Sequence, residues 1–317
     1  MSNNPFLCVV VLNWNHLDDL IITLDSILNQ NYNNYKIIVS DNNSSDGSQK
    51  YIREHYPNVI LLENKDNLGW AAGNNVGVKY ALGMGAEYVL LANNDIYLEE
   101  TNIIQTLLKD METLKDKNIK IIGTNVNYYN QKEKLHNDGW IMYPKSEQRG
   151  KYFNKYRYET TLELPCKYKL VDFVSGCFIL IDCTLFHEIG LIDEAFFIYG
   201  EETEFSFRAW KAGYGSVINK DLTIYHKISA TNKVGSPFSM YLKTRNLIYL
   251  LKKHKEDIIY FNHYRNKYYF DFIKTIMKII LYPGIFNGKQ IDILKSTTSG
   301  FIDGVFFNRL GKKGIKF

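Results

Sequence analysis

The first hundred residues predict an α/β fold on a mostly parallel, doubly wound sheet, and three observations carry that prediction. Short apolar runs of strand length alternate with stretches whose apolar residues recur at helical spacing. Dense turn signals separate the two kinds of segment. Polar residues gather where the strands end rather than inside them.

Residues 6–13 form the first apolar run and close on Asn13-Trp14-Asn15. Over 18–28, Leu20, Ile21, Leu24, Ile27 and Leu28 line one helical face. Residues 36–40 are a second strand, followed by the turn Asp41-Asn42-Asn43-Ser44-Ser45-Asp46-Gly47. A short helix from Ser48, a strand over 59–62, a helix over 70–82 and a strand over 88–91 continue the alternation, which implies βαβ units. Between 130 and 168 periodicity fades, and loops with a hairpin are expected. An apolar strand over 171–181, broken at Ser175-Gly176, restores order, and helices over 183–189 and 201–211 follow. From Met240 the chain reads as helical, with Leu242, Leu247, Ile248, Leu250 and Leu251 around Arg245-Asn246.

Hydrophobic residues make up 45% of the 317, enough for a substantial core, and no segment is depleted enough to remain unfolded. Cys8, Cys166, Cys177 and Cys183 lack CxxC spacing and read as buried free thiols of a reducing, cytoplasmic compartment. No secretory leader and no spanning helix are expected. Charge is unevenly spread. From residue 243 to the end, 15 Lys and Arg face 5 Asp and Glu, leaving 23 against 29 for the rest. A basic tail on an acidic body points to an anionic surface. No nucleic-acid reading motif accompanies it, so nucleic acid is not expected as a partner. Residues 268–307 mix Phe, Ile and Tyr with Lys274 and Lys278, a pattern suited to a membrane interface. A helix packed on the body, or a homodimer contact, uses the same pattern.

In open parallel sheets, ligands sit beyond the carboxyl ends of the strands. Here those positions hold Asn13-Trp14-Asn15, Asp41-Asn42-Asn43, Asn67-Leu68-Gly69 and Asn93-Asn94-Asp95. Asn and Asp favour turns in any case, which explains each cluster singly. Together they have the chemistry of a nucleotide-sugar site. Asp41 can accept a pyrimidine imide N–H, and Trp14 can stack on a base. Gly69 and Gly73 admit a ligand close to a helix N-terminus. Asp95 can ligate a hard cation. A second acidic cluster, Glu201, Glu202 and Glu204, follows an aromatic run that ends at Tyr199. First-turn acids suit a helix dipole, while aromatic surroundings suit a general base. Arg208 stands at i,i+4 from Glu204. His226 follows a strand-like stretch over 222–225, and the other histidines show no ligand spacing.

Taken together these residues resemble family 2 glycosyltransferases of the GT-A fold, and in particular the bacterial rhamnosyltransferase-like branch. The resemblance runs from about residue 5 to 253. Its motifs are VVVLNWN at 9–15, VSDNNSSDGS at 39–48, NLGWAAGNNVG at 67–77 and LLANND at 90–95. FVSGCFILID at 173–182, FFIYGEETEFSFRAWKAGY at 196–214, IYHKISAT at 224–231 and YLKTRN at 241–246 complete the series.

The resemblance implies a catalytic domain over 1–237, with a nucleotide-sugar half to about 125 and an acceptor half beyond it, and a helical, basic extension over 238–317. It places Asn13, Trp14, Asn15, Asp41, Asn43, Gly69, Gly73, Asn74, Asn93 and Asn94 around a dTDP- or UDP-sugar, with rhamnose favoured. Asp95 and His226 take the positions of ligands to Mg²⁺ or Mn²⁺. Ser175, Gly176, Cys177, Tyr199 and Arg208 take those of the sugar and acceptor pocket. The family usually has Glu-Asp where this chain has Glu201-Glu202, so Glu202 stands in the place of the catalytic Asp, with Glu201 as its alternate. The acceptor class implied is a cell-envelope glycan or lipid-linked sugar at the inner face of the plasma membrane. An inactive sugar-binding relative and a nucleotidyltransferase are the alternatives.

Overall fold

The structure is a computed structural model, and it describes residues 4–140, 163–228 and 235–257. Beyond these it describes 266, 269–270, 273–274, 277 and 288–307. The alternation expected of the first half is present: β1 (Leu7–Asn13), α1 (Leu17–Leu28), β2 (Tyr35–Asp41), α2 (Ser48–His55), β3 (Ile60–Glu63), α3 (Gly69–Gly83) and β4 (Tyr88–Asn93) follow in order. A two-residue strand β5 (Ile96–Tyr97), helix α4 (Ile103–Thr113), and the hairpin β6 (Ile119–Tyr128) with β7 (Gln131–Asn137) come next. Then follow β8 (Tyr168–Val171), β9 (Phe178–Asp182), α5 (Cys183–Ile189), α6 (Glu201–Lys211) and β10 (Gly215–His226). The last helices are α7 (Pro237–Lys253) and α8 (Gly288–Ile302).

These strands form one sheet in the order β3-β2-β1-β4-β9-β6-β10-β5, with β7 on β6 and β8 on β10. The run β3-β2-β1-β4 is parallel throughout. β9 then enters antiparallel to both β4 and β6, and β10 lies parallel to β6. Strand β1 is apolar without alternation because helices cover both its faces, and its residues Leu7 to Val11 are fully buried. Each such side chain contributes about 1.5–3 kcal/mol by leaving water.

Helix α3 lies close on β1 because its inward positions are small. A Cβ on Gly77 would stand 2.4 Å from Val10 Cγ1, and one on Gly73 would stand 2.5 Å from Leu12 Cδ1. That spacing of four residues on the helix matches alternate residues on the strand, so the glycines set how near the two backbones come.

Several features lay outside the sequence reading. Helix α4, strand β6 and the first half of β10 were not anticipated, although α4 buries Ile103, Ile104, Leu107, Leu108 and Met111. The expected single strand over 171–181 is not formed: β8 ends at Val171 and β9 begins at Phe178, and the Ser175-Gly176 break lies in the non-strand segment between them. Cys8, Cys177 and Cys183 are buried free thiols, but Cys166 is exposed. Much of the stretch expected as loops, and much of the tail from 258 to 287, lies outside the described residues.

Two compact units emerge. One draws on 1–141, 159–193 and 202–228 and holds the sheet; the other holds the described residues of 194–201 and 229–317. In the second, α7 and α8 pack together so closely that a Cβ on Gly300 would stand 2.3 Å from the Tyr241 carbonyl oxygen. Among the described residues no helix is long and apolar enough to cross a membrane.

Candidate active site

The strand ends of the parallel half converge through side-chain amides. Asn13, the last residue of β1, is fully buried and donates from Nδ2 to Asp41 Oδ2 at 2.7 Å and to Ser44 Oγ at 3.1 Å. Its Oδ1 accepts from Asn94 Nδ2 at 2.7 Å, and Asn94 also donates to the Asn15 carbonyl at 2.9 Å. Asn13 thereby links the ends of β1, β2 and β4. Asn15 adopts φ 61°, a left-handed turn that asparagine tolerates, and its Oδ1 accepts from the Ser45 N–H at 2.9 Å. Asn43 repeats that conformation at φ 61° and is exposed.

Asp41 is more committed than the sequence indicated. It is fully buried and accepts from Asn13 Nδ2, Ser44 Oγ at 2.6 Å, the Ser44 N–H at 2.9 Å and Gln49 Nε2 at 2.6 Å. Those four donors fill the acceptor positions of a carboxylate. Trp14, by contrast, leaves 39% of its surface exposed and presents an aromatic ring to solvent.

Around α3, Gly69 takes φ 78°, and its N–H is already capped by Asn67 Oδ1 at 2.9 Å. Asn42 is buried and ties Asn64, Asn67 and the Gly69 carbonyl together. Ser40 Oγ donates to the Gly73 carbonyl at 2.7 Å. Asn74 donates back to the Trp70 carbonyl at 2.9 Å, while its buried Oδ1 meets no partner. Trp70 Nε1 donates to Asn93 Oδ1 at 3.0 Å, and its ring lies against Gly176, where a Cβ would stand 2.8 Å from Cζ2. Gly176 therefore has to be glycine for Trp70 and Asn93 to hold this arrangement.

The long strand β10 carries the distant histidine to Asp95. After an irregularity between Asn219 and Thr223, it pairs His226 with Ile96 of β5. His226 Nε2 lies 2.9 Å from Asp95 Oδ1, with the two side chains only 12% and 6% exposed. The buried Nδ1 of His226 has no hydrogen-bond partner. His136 of β7 stands 5.8 Å from the His226 ring, and burial, with the neighbouring His226, holds it below its ordinary value. A carboxylate oxygen and an imidazole nitrogen at this separation fit one divalent cation. Among the described residues no group of three or more His, Cys, Asp and Glu side chains is placed to hold a metal. A cation held by Asp95 and His226 would take its remaining ligands from substrate and water, as Mg²⁺ commonly does.

Cys177 is buried just ahead of β9, and its carbonyl accepts from the Asn93 N–H at 3.0 Å. Burial pushes its thiol up to about 12, with further upward contributions from the charges of Asp95 and Glu202. Ser175 Oγ lies 3.3 Å from its sulfur. Within the acid cluster the environments differ: Glu201 is 3% exposed, whereas Glu202 is half-buried.

Arg208 has its nitrogens engaged in the scaffold. Nε donates to both oxygens of Glu204 at 2.9 and 3.0 Å, as the i,i+4 spacing predicts. Nη2 donates to the Leu191 carbonyl at 2.8 Å and Nη1 to that of Ile189. Tyr199 lies in the second compact unit, is half-buried and adopts φ 75°; burial, together with Glu201, pushes its hydroxyl up to about 12. Sequence reasoning missed Ser44 and Gln49 as partners of Asp41, Trp70 as the partner of Asn93, and Asn75, which exchanges hydrogen bonds with the backbone of Ile192. The turn signal after β2 marked where the first two lie but not which way they face.

A parallel sheet with amides and acids at its strand ends, continued by an antiparallel strand and a carboxylate–histidine pair, defines a GT-A transferase architecture. Residues 8–190 match the family model described as Glycosyl transferase family 2, and the chain belongs to that family. It is similar to the low-salt glycan biosynthesis hexosyltransferase Agl10 of Haloferax volcanii, 26% identical over 67% of this chain and 65% of that one. It is also similar to the dTDP-rhamnosyl transferase RfbF of Shigella flexneri, 25% identical over 80% of this chain and 81% of that one. The chain thus spans a little under two thirds of the length of the first of these relatives. Among solved structures, the mannosyltransferase PcManGT from Pyrobaculum calidifontis, in complex with GDP-Man and Mn²⁺, shares the fold with a TM-score of 0.57 at 11% identity, over 96% of this chain and 88% of that one.

Proposed function

We propose that the protein is an inverting glycosyltransferase that moves a sugar from a dTDP- or UDP-linked donor to a hydroxyl of a cell-envelope glycan or lipid-linked acceptor. The observation that carries the reading is the buried pair of Asp95 and His226, 2.9 Å apart at the strand ends of a chain that belongs to the glycosyltransferase family. It supports a place for a metal-bound diphosphate beside the polar strand ends, and Glu202 is assigned as the general base from its place in the family's motif. The similarity to a dTDP-rhamnosyl transferase over most of both chains favours rhamnose as the sugar.

Asn13, Asn15, Asn93 and Asn94 bind the donor in this reading, with Trp14 stacking on the base and Gly73 and Asn74 near the ribose. The base reaches Asp41 by taking over the bond now made by Gln49. Asp95 and His226 would hold Mg²⁺ or Mn²⁺, whose charge when bound offsets the charge that develops on the departing nucleoside diphosphate. Glu202 takes the proton of the acceptor hydroxyl as that oxygen attacks the anomeric carbon from the face opposite the diphosphate. The new C–O bond forms as the bond to the diphosphate breaks. Glu202 is better placed for this than Glu201, because a half-buried carboxylate can meet a substrate and one 3% exposed cannot without rearrangement. Holding both substrates in line supplies much of the remaining acceleration.

The catalytic part of this proposal ends near residue 237, and the extension beyond it contacts the inner face of the plasma membrane. Exposed Phe270, Ile273, Met277 and Phe306, with Lys274 among them, support a basic, apolar contact with anionic lipid. The test of the transferase reading is a panel of nucleotide-sugars assayed for nucleoside diphosphate release with Mn²⁺ or Mg²⁺ and with chelator. Metal-dependent turnover of a dTDP- or UDP-sugar is expected. No turnover of any donor would leave the inactive-relative reading standing.

A further inference from the structure

The five residues ahead of α6 have an unusual backbone. Phe197 takes φ 66°, Tyr199 φ 75° and Gly200 φ 96°. The Ile198 N–H closes on the Phe196 carbonyl at 2.9 Å, so Phe197 sits at the centre of a γ-turn of the rare, positive-φ form. Bulky aromatic residues seldom adopt this region, and they persist there only where the surroundings over-determine them.

The surroundings that do so are on α7. Asn246 is 1% exposed, and its amide nitrogen donates to three consecutive-turn carbonyls: Phe196 at 2.9 Å, Ile198 at 2.9 Å and Tyr199 at 2.7 Å. Arg245 is fully buried; its Nη2 donates to the same Phe196 carbonyl at 2.9 Å, and its Nε donates to Asn246 Oδ1 at 2.9 Å, fixing the amide's orientation. Lys243 Nζ lies 4.8 Å over the Tyr199 ring, and the Tyr249 ring packs at 60° to that of Phe196 with centroids 5.2 Å apart. The 243, 246 and 249 positions share one helical face. A buried arginine and asparagine are expensive to keep in a helix interior, and here both are turned on the turn that runs straight into Glu201 and Glu202.

We propose that Arg245 and Asn246 are positioning residues, which clamp the 196–200 turn in its strained form and thereby set the direction in which the acid pair of α6 begins. The inference rests on the transferase reading for its catalytic consequence and on geometry alone for the clamp.

Asn246→Asp tests it, because the variant keeps the side-chain shape and the oxygen facing Arg245 Nε but gives up both N–H donors. The full chain is assayed for donor turnover, thermal unfolding and amide exchange. The clamp predicts a fall in kcat of about 10–100-fold, because small misplacements of a reacting group cost that much. It also predicts a donor KM within about twofold of wild type and exchange at 198–201 faster by at least about tenfold. Wild-type kcat in a folded variant overturns the proposal, and so does unchanged exchange at 198–201. So does a parallel loss of kcat, donor affinity and thermal stability, which marks an ordinary structural role. If the aspartate variant does not fold, Asn246→Ser, which keeps one donor, decides on the same readouts. If the wild type turns over no donor, the transferase reading fails by itself, and the exchange result still decides whether Asn246 holds the turn.

Discussion

Asp95, just past the end of the fourth parallel strand, and His226, the last residue of β10, meet with Nε2 2.9 Å from Oδ1 although they stand far apart in the chain. Cys177 stands at the start of β9, the strand that enters the sheet antiparallel beside β4. That reversal puts the turn of Ser175, Gly176 and Cys177 beside the end of β4, where the Asn93 N–H donates to the Cys177 carbonyl at 3.0 Å.

Alkaline stability follows from the buried thiols. Burial holds Cys177 and Cys183 at about 12, against an ordinary value of 9.0. Both groups are neutral when protonated, and folding favours that form. Their contribution is therefore fully present below pH 9 and is lost as pH rises from 9 toward 12, at up to about 1.4 kcal/mol per unit for each thiol. Denaturant unfolding at pH 8 and pH 10.5 should show this loss, and a Cys177→Ala variant should show a shallower one. Equal slopes for the two proteins would contradict the assignment.

Gly176→Ala should damage the candidate site, because Gly176 is half-buried against the Trp70 ring. Its Cβ would meet Trp70 at 2.8 Å, and Trp70 carries the hydrogen bond to Asn93. A cost of about 1–3 kcal/mol is expected from the overpacking, together with weaker donor binding. Urea unfolding and a donor titration check the two effects separately; unchanged values in both would mean that Trp70 moves without consequence.

Removal of the Asp95 carboxylate should abolish metal-dependent turnover and leave the fold intact. Asp95→Ala takes away the partner of His226 Nε2 at the edge of β10, so a small loss of stability accompanies it, about 1–3 kcal/mol. The check is turnover against Mn²⁺ concentration alongside circular dichroism. Full activity of this variant in metal-depleted buffer would remove the metal role.

Truncation before residue 268 should release the protein from vesicles rich in anionic lipid, while the full chain co-sediments with them and dissociates as salt rises. Equal sedimentation of the two forms would move the contact elsewhere on the molecule.

Much of the fold was legible because local signals and tertiary demands agree in the first half. β1 is apolar from Leu7 to Leu12 since both its faces are covered, and α2 begins at Ser48 where the turn chemistry of Asp46-Gly47 ends. Helix α4 escaped notice because its apolar residues sit among Lys109, Asp110 and Glu112, and only the packed sheet shows which face is inward. Asp110 itself is buried there, receiving hydrogen bonds from Tyr168, Lys167 and Asn219, partners that no spacing rule joins. In the site, Asn13, Asp41 and Asn94 were legible as polar residues at strand ends, and the pairing of His226 with Asp95 came from resemblance alone. The full occupancy of Asp41 was not legible, because it depends on the orientation of Ser44 and Gln49 in a folded turn. Nor was the clamp on 196–200: Arg245-Asn246 looked like polar residues in an apolar helix until their carbonyl partners were in place.

The account depends on Glu202 serving a sugar that is held through Asp95, and one comparison of variants tests this most directly. Wild type and Glu202→Gln are measured for binding of the nucleoside diphosphate with Mn²⁺ by calorimetry, and for donor turnover. The account predicts affinity within about twofold of wild type and turnover lower by roughly 10²–10⁴, the loss expected when a general base is removed. Wild-type turnover in a folded Glu202→Gln protein, with the large loss appearing in Glu201→Gln instead, would contradict it.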